Sequence, residues 1–175
     1  MDVGKYRIRI LNDEERGASF DCGKADLNDY IVNDAADFQK ELLAVNYVME
    51  KDSDLCAFFS LLSDRICLYD FDSKTEFNRF RSKRFIQPYR FKGYPAIKIG
   101  RFGVKDSYKE QGIGSALLDF IKTYFLRNRR LGCRFLTVDA YKDAIPFYAK
   151  NGFIKLRSDS DRETSLMYYD LKACA

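Results

Sequence analysis

The sequence predicts an α/β fold in which helices flank a mixed sheet. Two observations predict it: strand-like and helix-like hydrophobic patterns alternate along the chain, and strand pairs joined by short turns stand near both ends. The length of 175 residues, 46% of them hydrophobic, is typical of one domain with a substantial core. Residues 1–175 are therefore expected to form a single domain.

The amino-terminal part begins with the predicted strand Tyr6–Ile10, in which polar and apolar residues alternate weakly. Leu27–Leu43 carries apolar residues near helical spacing and predicts one or two helices, with a break near Asn33. Val45–Glu50 and Cys56–Leu62 are predicted to form a hairpin through the polar residues between them.

A segment of mixed character, 69–93, leads into the predicted strand Ala96–Val104. Ile113–Leu126 has the clearest helical spacing in the chain. The remaining predicted elements are the strand Arg134–Ala140, the helix Asp143–Lys150 with Asp143 as its N-cap and Pro146 in its first turn, and the strands Phe153–Leu156 and Leu166–Leu171.

The composition excludes several classes of site. The chain has no histidine, which excludes Ser-His and Cys-His nucleophile pairs, imidazole bases and His-containing zinc sites. Five cysteines without a Cys-x-x-Cys pair indicate a reduced, cytoplasmic protein. No uncharged run approaches the roughly 18 residues of a membrane span. The start, MDVGKYRIRI, is charged rather than signal-like.

Charge is distributed unevenly along the chain. Residues 1–76 carry 9 Lys/Arg and 17 Asp/Glu, a net charge of −8, whereas residues 77–175 carry 21 and 9, a net charge of +12. A basic half of this size favours a polyanionic ligand or partner. Solvated basic side chains on helix faces are the alternative.

The chemistry is concentrated at residues 104–118, VKDSYKEQGIGSALL, where a strand leads through a polar turn into a strong helix. Free amides and the dipole at a helix start favour an anion, and the glycines allow close approach. A dinucleotide fingerprint would need a glycine where Leu117 stands, and a nucleotide-triphosphate loop would need lysine after Gly114. An ordinary tight strand-to-helix turn remains the alternative.

This run resembles the acyl-CoA-binding motif of the GNAT (GCN5-related) N-acetyltransferases, Gln/Arg-x-x-Gly-x-Gly/Ala, with Lys109, Gly112 and Gly114 in the matching places. The segment 137–153, TVDAYKDAIPFYAKNGF, resembles the same family's fifth strand and the helix after it. The resemblance implies a mostly antiparallel sheet of about six to seven strands that splays between the fourth and fifth. Two departures are Lys109 itself and Glu110, which stands where glycine is frequent.

The resemblance also implies roles for individual residues. Acetyl-CoA would be the acyl donor, the Val104 amide would stabilise the developing oxyanion, and Tyr148 would protonate the departing thiolate. No side chain stands out as a general base, although Asp106, Glu110 and Asp139 are available. The implied donor-binding residues are Phe102, Gly103, Val104, Lys109, Glu110, Gln111, Gly112, Ile113, Gly114 and Ser115.

A finer resemblance, carried by residues 20–39, 99–104 and 138–148, is to the acetyltransferase toxins of type II toxin–antitoxin pairs. It implies aminoacyl-tRNA as the amine substrate, a small antitoxin as partner, and a homodimer. Two other interpretations stay open. One is a GNAT enzyme that acts on a protein N-terminus or a small amine, and the other is a non-catalytic module that binds acyl-CoA or RNA.

The segment 78–92, NRFRSKRFIQPYRFK, is basic, aromatic and free of acidic residues. Basic side chains neutralise phosphates, and aromatic rings stack on unpaired bases, so the segment favours RNA binding. An antitoxin-facing surface or a solvated strand edge would carry the same alternation. The candidate RNA-binding residues are Arg79, Arg81, Lys83, Arg84, Arg90 and Lys92.

Overall fold

The computed structural model describes residues 2–3, 5–12, 14, 19–85, 91–128, 132–157 and 163–174. Its strands are β1 (Asp2–Val3), β2 (Tyr6–Ile10), β3 (Val45–Lys51), β4 (Asp54–Cys67), β5 (Gly93–Val104), β6 (Phe135–Tyr141), β7 (Ile154–Lys155) and β8 (Thr164–Asp170). Its helices are α1 (Ala25–Asp29), α2 (Ala35–Lys40), α3 (Lys74–Ser82), α4 (Ile113–Asn128) and α5 (Ile145–Lys150). The predicted mixed α/β fold is confirmed. None of the helices in these ranges is long and apolar enough to cross a membrane.

The chain divides into two compact units. Unit 1 comprises Met1–Leu62 and Ile99–Ile121, and unit 2 comprises Ser63–Lys98 and Lys122–Ala175. By sequence, unit 1 has 10 Lys/Arg and 16 Asp/Glu, a net charge of −6, while unit 2 has 20 and 10, a net charge of +10. The uneven charge seen along the sequence therefore follows the division of the fold.

In unit 1 the strand order is β1-β2-β3-β4-β5. The predicted hairpin of β3 and β4 is antiparallel, and Asp52 and Ser53 at its tip both have positive φ, 49° and 67°. That pair of dihedrals suits the right-handed twist of a two-residue hairpin. The core of this unit packs the helical segment against β3 and β4, with Ile31, Ala35 and Phe58 almost fully buried.

The helical segment of unit 1 does not break at Asn33. Instead, a π-helical stretch, Tyr30–Asp34, joins α1 to α2 in one continuous helical path that ends at Lys40. The buried Tyr30 hydroxyl donates to Asn46 Oδ1 at 2.8 Å, and the Asn46 side chain donates to the Ala35 carbonyl at 2.6 Å. These bonds satisfy polar groups that burial would otherwise leave unpaired.

In unit 2 the strand order is β4-β5-β6-β8-β7, and β6 pairs with β8 antiparallel from Phe135↔Asp170 to Tyr141↔Thr164. Its core is aromatic, with Phe80, Phe135 and Tyr168 in mutual ring contact. Phe80 comes from α3, a helix that begins in the segment of mixed character and that the sequence analysis did not assign.

The helix α5 begins later than predicted. Its N-cap is Ala144, and no side chain caps it, so the assignment of Asp143 as the N-cap is wrong. The reason is that Lys142–Ala144 forms a 3₁₀ turn ahead of the helix. Pro146 lies in the first turn as predicted, and Gly152 ends the helix with φ of 82°.

Candidate active site

The glycine turn of unit 1 follows the end of β5. Gly103 is buried there because the Phe58 ring approaches closely: a Cβ at this position would lie 2.6 Å from Phe58 Cε1. Phe102 and Val104 are half-buried on either side. The close approach therefore requires glycine at this point of the strand.

The turn itself combines a 3₁₀ turn, Asp106–Tyr108, with two residues of positive φ, Glu110 at 60° and Gly112 at 77°. A Cβ at Gly112 would meet no atom within 4 Å, so glycine is required there by the dihedral and not by crowding. The Gly112 carbonyl accepts the first helical hydrogen bond from the Ala116 amide at 3.0 Å.

That bond places the start of α4 at Ile113. The amides of the first helical residues, Ile113, Gly114 and Ser115, have no intrahelical acceptor, and such amides together with the helix dipole favour an anion. Ile113 is buried, whereas Gly112 is exposed and Gly114 and Ser115 are half-exposed. The turn thus presents backbone donors around open space, which fits a pyrophosphate group.

The Lys109 side chain has partners within unit 1. Its Nζ forms an ion pair with Asp106 Oδ1 at 2.5 Å and donates to the Cys22 carbonyl at 2.8 Å. The Asp106 amide in turn donates to the Asp21 carbonyl at 2.9 Å. Lys109 therefore connects the turn to residues 21–22. This structural contact explains why a lysine stands where the motif has Gln or Arg.

A second group of polar side chains braces the start of the turn. Lys105 Nζ forms an ion pair with Asp54 Oδ1 at 2.6 Å, and this hydrogen bond is the main cause of the lowered pKa of Asp54. Tyr108 donates towards the side chains of Cys56 and Asp54, which raises the pKa of the Tyr108 phenol. These contacts fix the path of the backbone between β5 and Gly112.

Tyr148 lies on α5 in unit 2, and only 5% of it is exposed. Its ring contacts those of Phe147 and Phe153, with centroids 5.1 and 5.4 Å away. Burial raises the pKa of its phenol above the ordinary value near 10, which keeps the group protonated at neutral pH. A protonated phenol can serve as a proton donor.

The first part of the basic segment belongs to α3, so this part is not the strand edge that one interpretation allowed. Arg79 and Lys83 are exposed, Arg81 is half-buried over the Phe77 ring, and Lys92 is exposed. Arg90 lies outside the described residues, as do Arg129 and Arg130, which would extend the patch. Two aromatic rings of the segment are not available to a base, because Phe80 is buried in the core and the Phe85 ring stacks on Tyr94 with centroids 4.4 Å apart, whereas Phe91 is exposed.

Arg84 is held inside unit 2. Its guanidinium lies 4.0 Å from the Phe80 ring centroid, donates to the Tyr168 hydroxyl and reaches Asp170 Oδ2 at 3.6 Å. Arg134 contacts the same carboxylate through two nitrogens, at 2.8 and 3.0 Å. The contact between Arg134 Nε and Asp170 Oδ1 is an ion pair. We assign both arginines to the structure of the unit.

The four cysteines whose burial the structure gives do not have the features of an activated nucleophile. Cys22 and Cys56 are buried, and Cys67 is half-buried. Burial raises the pKa of the Cys133 thiol to about 11, so it is not a thiolate at neutral pH. Within the described ranges, no group of three or more Cys, Asp and Glu side chains could hold a metal ion.

The sequence analysis missed a polar cavity in unit 2. It has a volume of about 320 Å³ and is lined by side chains that include Asp64, Lys98 and Thr137. Thr137 is 1% exposed and donates to Asp64 Oδ2. Asp64 and Thr137 are each polar on a strand whose alternate neighbour, Ile66 or Phe135, faces the core.

Comparison with known proteins points to one family. Residues 77–155 match the family model described as "Acetyltransferase (GNAT) domain". No curated protein gives a significant match to the chain.

Several solved structures share the fold. A tyrosine-to-phenylalanine mutant of KacT is 20% identical, with a TM-score of 0.78 and 97% of each chain covered. AtaTR bound with acetyl-CoA is 20% identical, with a TM-score of 0.75 over 97% of this chain and 95% of that one. AtaT complexed with acetyl-methionyl-tRNAfMet is 21% identical, with a TM-score of 0.73 over 97% of this chain and 96% of that one.

Proposed function

We propose that the chain is an N-acetyltransferase of the GNAT family with acetyl-CoA as its acyl donor, in line with the family model that matches residues 77–155. We further propose that its acceptor is the α-amino group of aminoacyl-tRNA and that acetylation blocks translation. The observation that carries the choice of acceptor is the net charge of +10 on unit 2, which suits a polyanion. The fold shared with AtaT, solved with an acetylated tRNA, supports the same choice.

In this proposal, unit 1 binds the donor through its backbone. The amides from Lys109 to Ser115 hold the pyrophosphate, and the backbone of Phe102, Gly103 and Val104 pairs with the pantetheine arm as an added strand. Side chains matter less here than the path of the chain, because the contacts are made by amide and carbonyl groups. The Glu110 side chain is exposed, so its negative charge can turn towards solvent.

Acetyl-CoA supplies the thioester that the amine attacks. The Val104 amide donates a hydrogen bond to the carbonyl oxygen, on which negative charge develops as the new C–N bond forms. The amine nitrogen loses a proton to water, the C–S bond breaks, and Tyr148 gives its phenolic proton to the departing sulfur. A phenol is protonated at neutral pH before reaction, and the phenolate left on Tyr148 takes a proton back from water afterwards.

The lack of an evident general base favours an α-amine over a lysine. An α-amino group has a pKa near 7.7–8.0 and is already partly neutral at physiological pH, whereas a lysine ammonium, near 10.4, is not. Water then suffices as the proton acceptor. An amine on an ester is less basic still, which fits the aminoacyl end of a charged tRNA.

Exposed and half-buried basic residues of unit 2 would contact tRNA phosphates. We keep Arg79, Arg81, Lys83 and Lys92 in this role, with Arg90 in the same segment, and assign Arg84 to the structure because Asp170 already neutralises it. The proposal also implies a small antitoxin as partner, as in the AtaT structures with the C-terminus of AtaR. We also propose that the protein forms a homodimer, that it is cytoplasmic, and that residues 1–175 form one GNAT domain.

Transfer of label from radioactive acetyl-CoA to total aminoacyl-tRNA tests the proposal. Label should appear on charged tRNA, require an unblocked α-amine and disappear with Tyr148→Phe. If tRNA stays unlabelled while coenzyme A is released with a peptide or a small amine, the chain is a GNAT enzyme of another substrate class and the tRNA proposal fails.

A further inference from the structure

One face of the sheet in unit 2 changes from apolar to polar along its strands. Ile66, Ala96 and Phe135 belong to the aromatic core that α3 covers. Two residues away on the same three strands stand Asp64, Lys98 and Thr137. Because alternate residues of a strand point to the same face, these polar side chains continue the face on which the core packs.

The polar part of this face lines the cavity of about 320 Å³. Such a volume lies at the lower end of the range for small-molecule sites. Its lining carries both signs of charge, since three acidic residues, Asp64, Asp70 and Asp139, stand with three basic residues, Arg65, Lys98 and Arg157. A cavity of this kind suits a ligand that itself carries a cationic and an anionic group.

Two of the three carboxylates already have partners within the unit. Asp139 forms an ion pair with Lys98, which balances its charge. Asp70 accepts the Cys67 amide at 2.7 Å and so holds the 3₁₀ turn Leu68–Asp70 in place. We therefore assign Asp70 and Asp139 to the structure of the cavity wall and not to ligand binding.

Asp64 differs from them. Its hydrogen bond within the described residues comes from the neutral Thr137 hydroxyl, and no Lys or Arg nitrogen among those residues lies within ion-pair distance. The Thr137 bond fixes the orientation of the carboxylate, which is half-buried in the wall. A fixed, partly desolvated carboxylate without a counter-ion attracts a cation from the cavity.

We propose that this cavity binds the aminoacyl end of the acceptor, with Asp64 as the counter-ion of its primary ammonium group and Thr137 as the residue that positions Asp64. The inference rests on the proposed function and assigns its acceptor site. Arg157, half-buried in the lining, carries positive charge for a neighbouring phosphate. Contact with the Asp64 carboxylate favours the ammonium form, so the bound group gives one proton to Asp64 or to water before the neutral amine attacks.

Kinetics with a matched pair of variants test the role of Asp64. Asp64→Asn should raise the KM for charged tRNA at least tenfold and leave the KM for acetyl-CoA unchanged. The control Asp72→Asn removes the same charge from an exposed position of unit 2 outside the cavity and should change neither value. Equal effects of the two variants would overturn the inference.

A binding measurement separates failure of this site from failure of the enzyme proposal. Methioninamide should shift the Thr137 amide resonance of the full chain in NMR spectra, whereas N-acetylmethioninamide, which lacks the ammonium, should not. Asp64→Asn should abolish the shift. A shift that persists with the acetylated ligand or in the variant overturns the inference, even if acetyl transfer to tRNA is found. If the expected shift is seen without transfer to tRNA, the site stands and the tRNA proposal fails.

A separate variant tests whether Arg157 contacts a phosphate of the acceptor. Arg157→Gln should raise the KM for charged tRNA several-fold and leave the methioninamide shift of Thr137 unchanged, because only the tRNA carries a phosphate. An unchanged KM for tRNA would remove Arg157 from the proposal.

Discussion

Unit 1 and unit 2 differ in how they would recognise their ligands. Unit 1, with a net charge of −6, offers a diphosphate the backbone amides at the start of α4. Unit 2, with a net charge of +10, offers charged side chains on α3 and in a polar cavity. Binding of a phosphate by backbone amides depends on the dihedral angles of the turn and is possible even where the surrounding side chains are acidic. Binding by side chains depends on which basic residues are not already paired with a carboxylate.

The Lys109 and Arg84 contacts illustrate the same difference. Each basic residue occupies a position that the sequence assigns to an anion, and each is held by a carboxylate of its own unit, Asp106 for Lys109 and Asp170 for Arg84. In unit 1 the amides remain to bind the phosphates. In unit 2, Arg84 is paired within the fold, so the exposed Arg79 and Lys83 are the residues of this segment that we expect to bind phosphates.

The largest expected effect is on catalysis in unit 2. Tyr148→Phe should lower kcat by about 100-fold or more, because removal of a general acid typically costs 10²–10⁴. The matched control is Tyr169→Phe, since Tyr169 is also buried and packs on Phe153 at 5.5 Å. Steady-state kinetics with any accepted amine measure both variants. A similar kcat for the two would remove Tyr148 as the acid.

The next effect is on nucleic-acid binding by the exposed basic residues. Replacement of Arg79, Lys83 and Lys92 with alanine should lower the slope of log K against log salt by about 2–3, since each phosphate contact releases counterions. Arg84→Ala should destabilise the fold without the same change in slope. Titrations of tRNA at several salt concentrations measure this, and an unchanged slope for the triple variant contradicts phosphate contact.

A smaller effect is expected on the stability of unit 2. Asp170→Asn removes the carboxylate charge that Arg84 and Arg134 share. The groups are about one-fifth exposed, so solvent screening limits the loss in unfolding free energy to about 1–2 kcal/mol. Urea unfolding measures it against the exposed control Asp72→Asn. No difference between the variants would show that the arginines do not depend on this carboxylate.

The smallest effect concerns the turn of unit 1. Lys109→Gln restores a residue of the common motif but loses the ion pair with Asp106, so acetyl-CoA should bind only about two- to threefold more weakly, as expected for an exposed ion pair worth 0.2–1 kcal/mol. Calorimetric titration measures the affinity. A loss of tenfold or more would mean that Lys109 itself contacts the phosphates.

The elements that could be predicted from the sequence are those determined by residues close together in the chain. The glycine turn, α4 and the position of Tyr148 on a helix follow from spacing within short segments. The helix α3 was also readable, because Ser73 and Glu76 have capping-box spacing and the Ser73 hydroxyl accepts the Glu76 amide at 3.1 Å. The alternation of aromatic and basic residues obscured that signal.

The polar cavity could not be predicted in the same way. Asp64 and Thr137 are 73 positions apart and meet only through strand pairing in the sheet. The partners of Arg84 are equally remote, since Asp170 and Tyr168 come from β8. A sequence shows that such residues are polar or basic, but the pairing of strands decides whether they face a ligand or one another.

Calorimetric affinities for acetyl-CoA test the division of roles most directly. Gly112→Ala should weaken binding about tenfold, because a side chain at φ of 77° costs about 1–2 kcal/mol and disturbs the amides that hold the pyrophosphate. Gly132→Ala, which places a Cβ in open space without a positive φ, is the control. Tyr148→Phe should bind acetyl-CoA as the wild type does. Normal affinity in Gly112→Ala together with lost affinity in Tyr148→Phe would contradict the account.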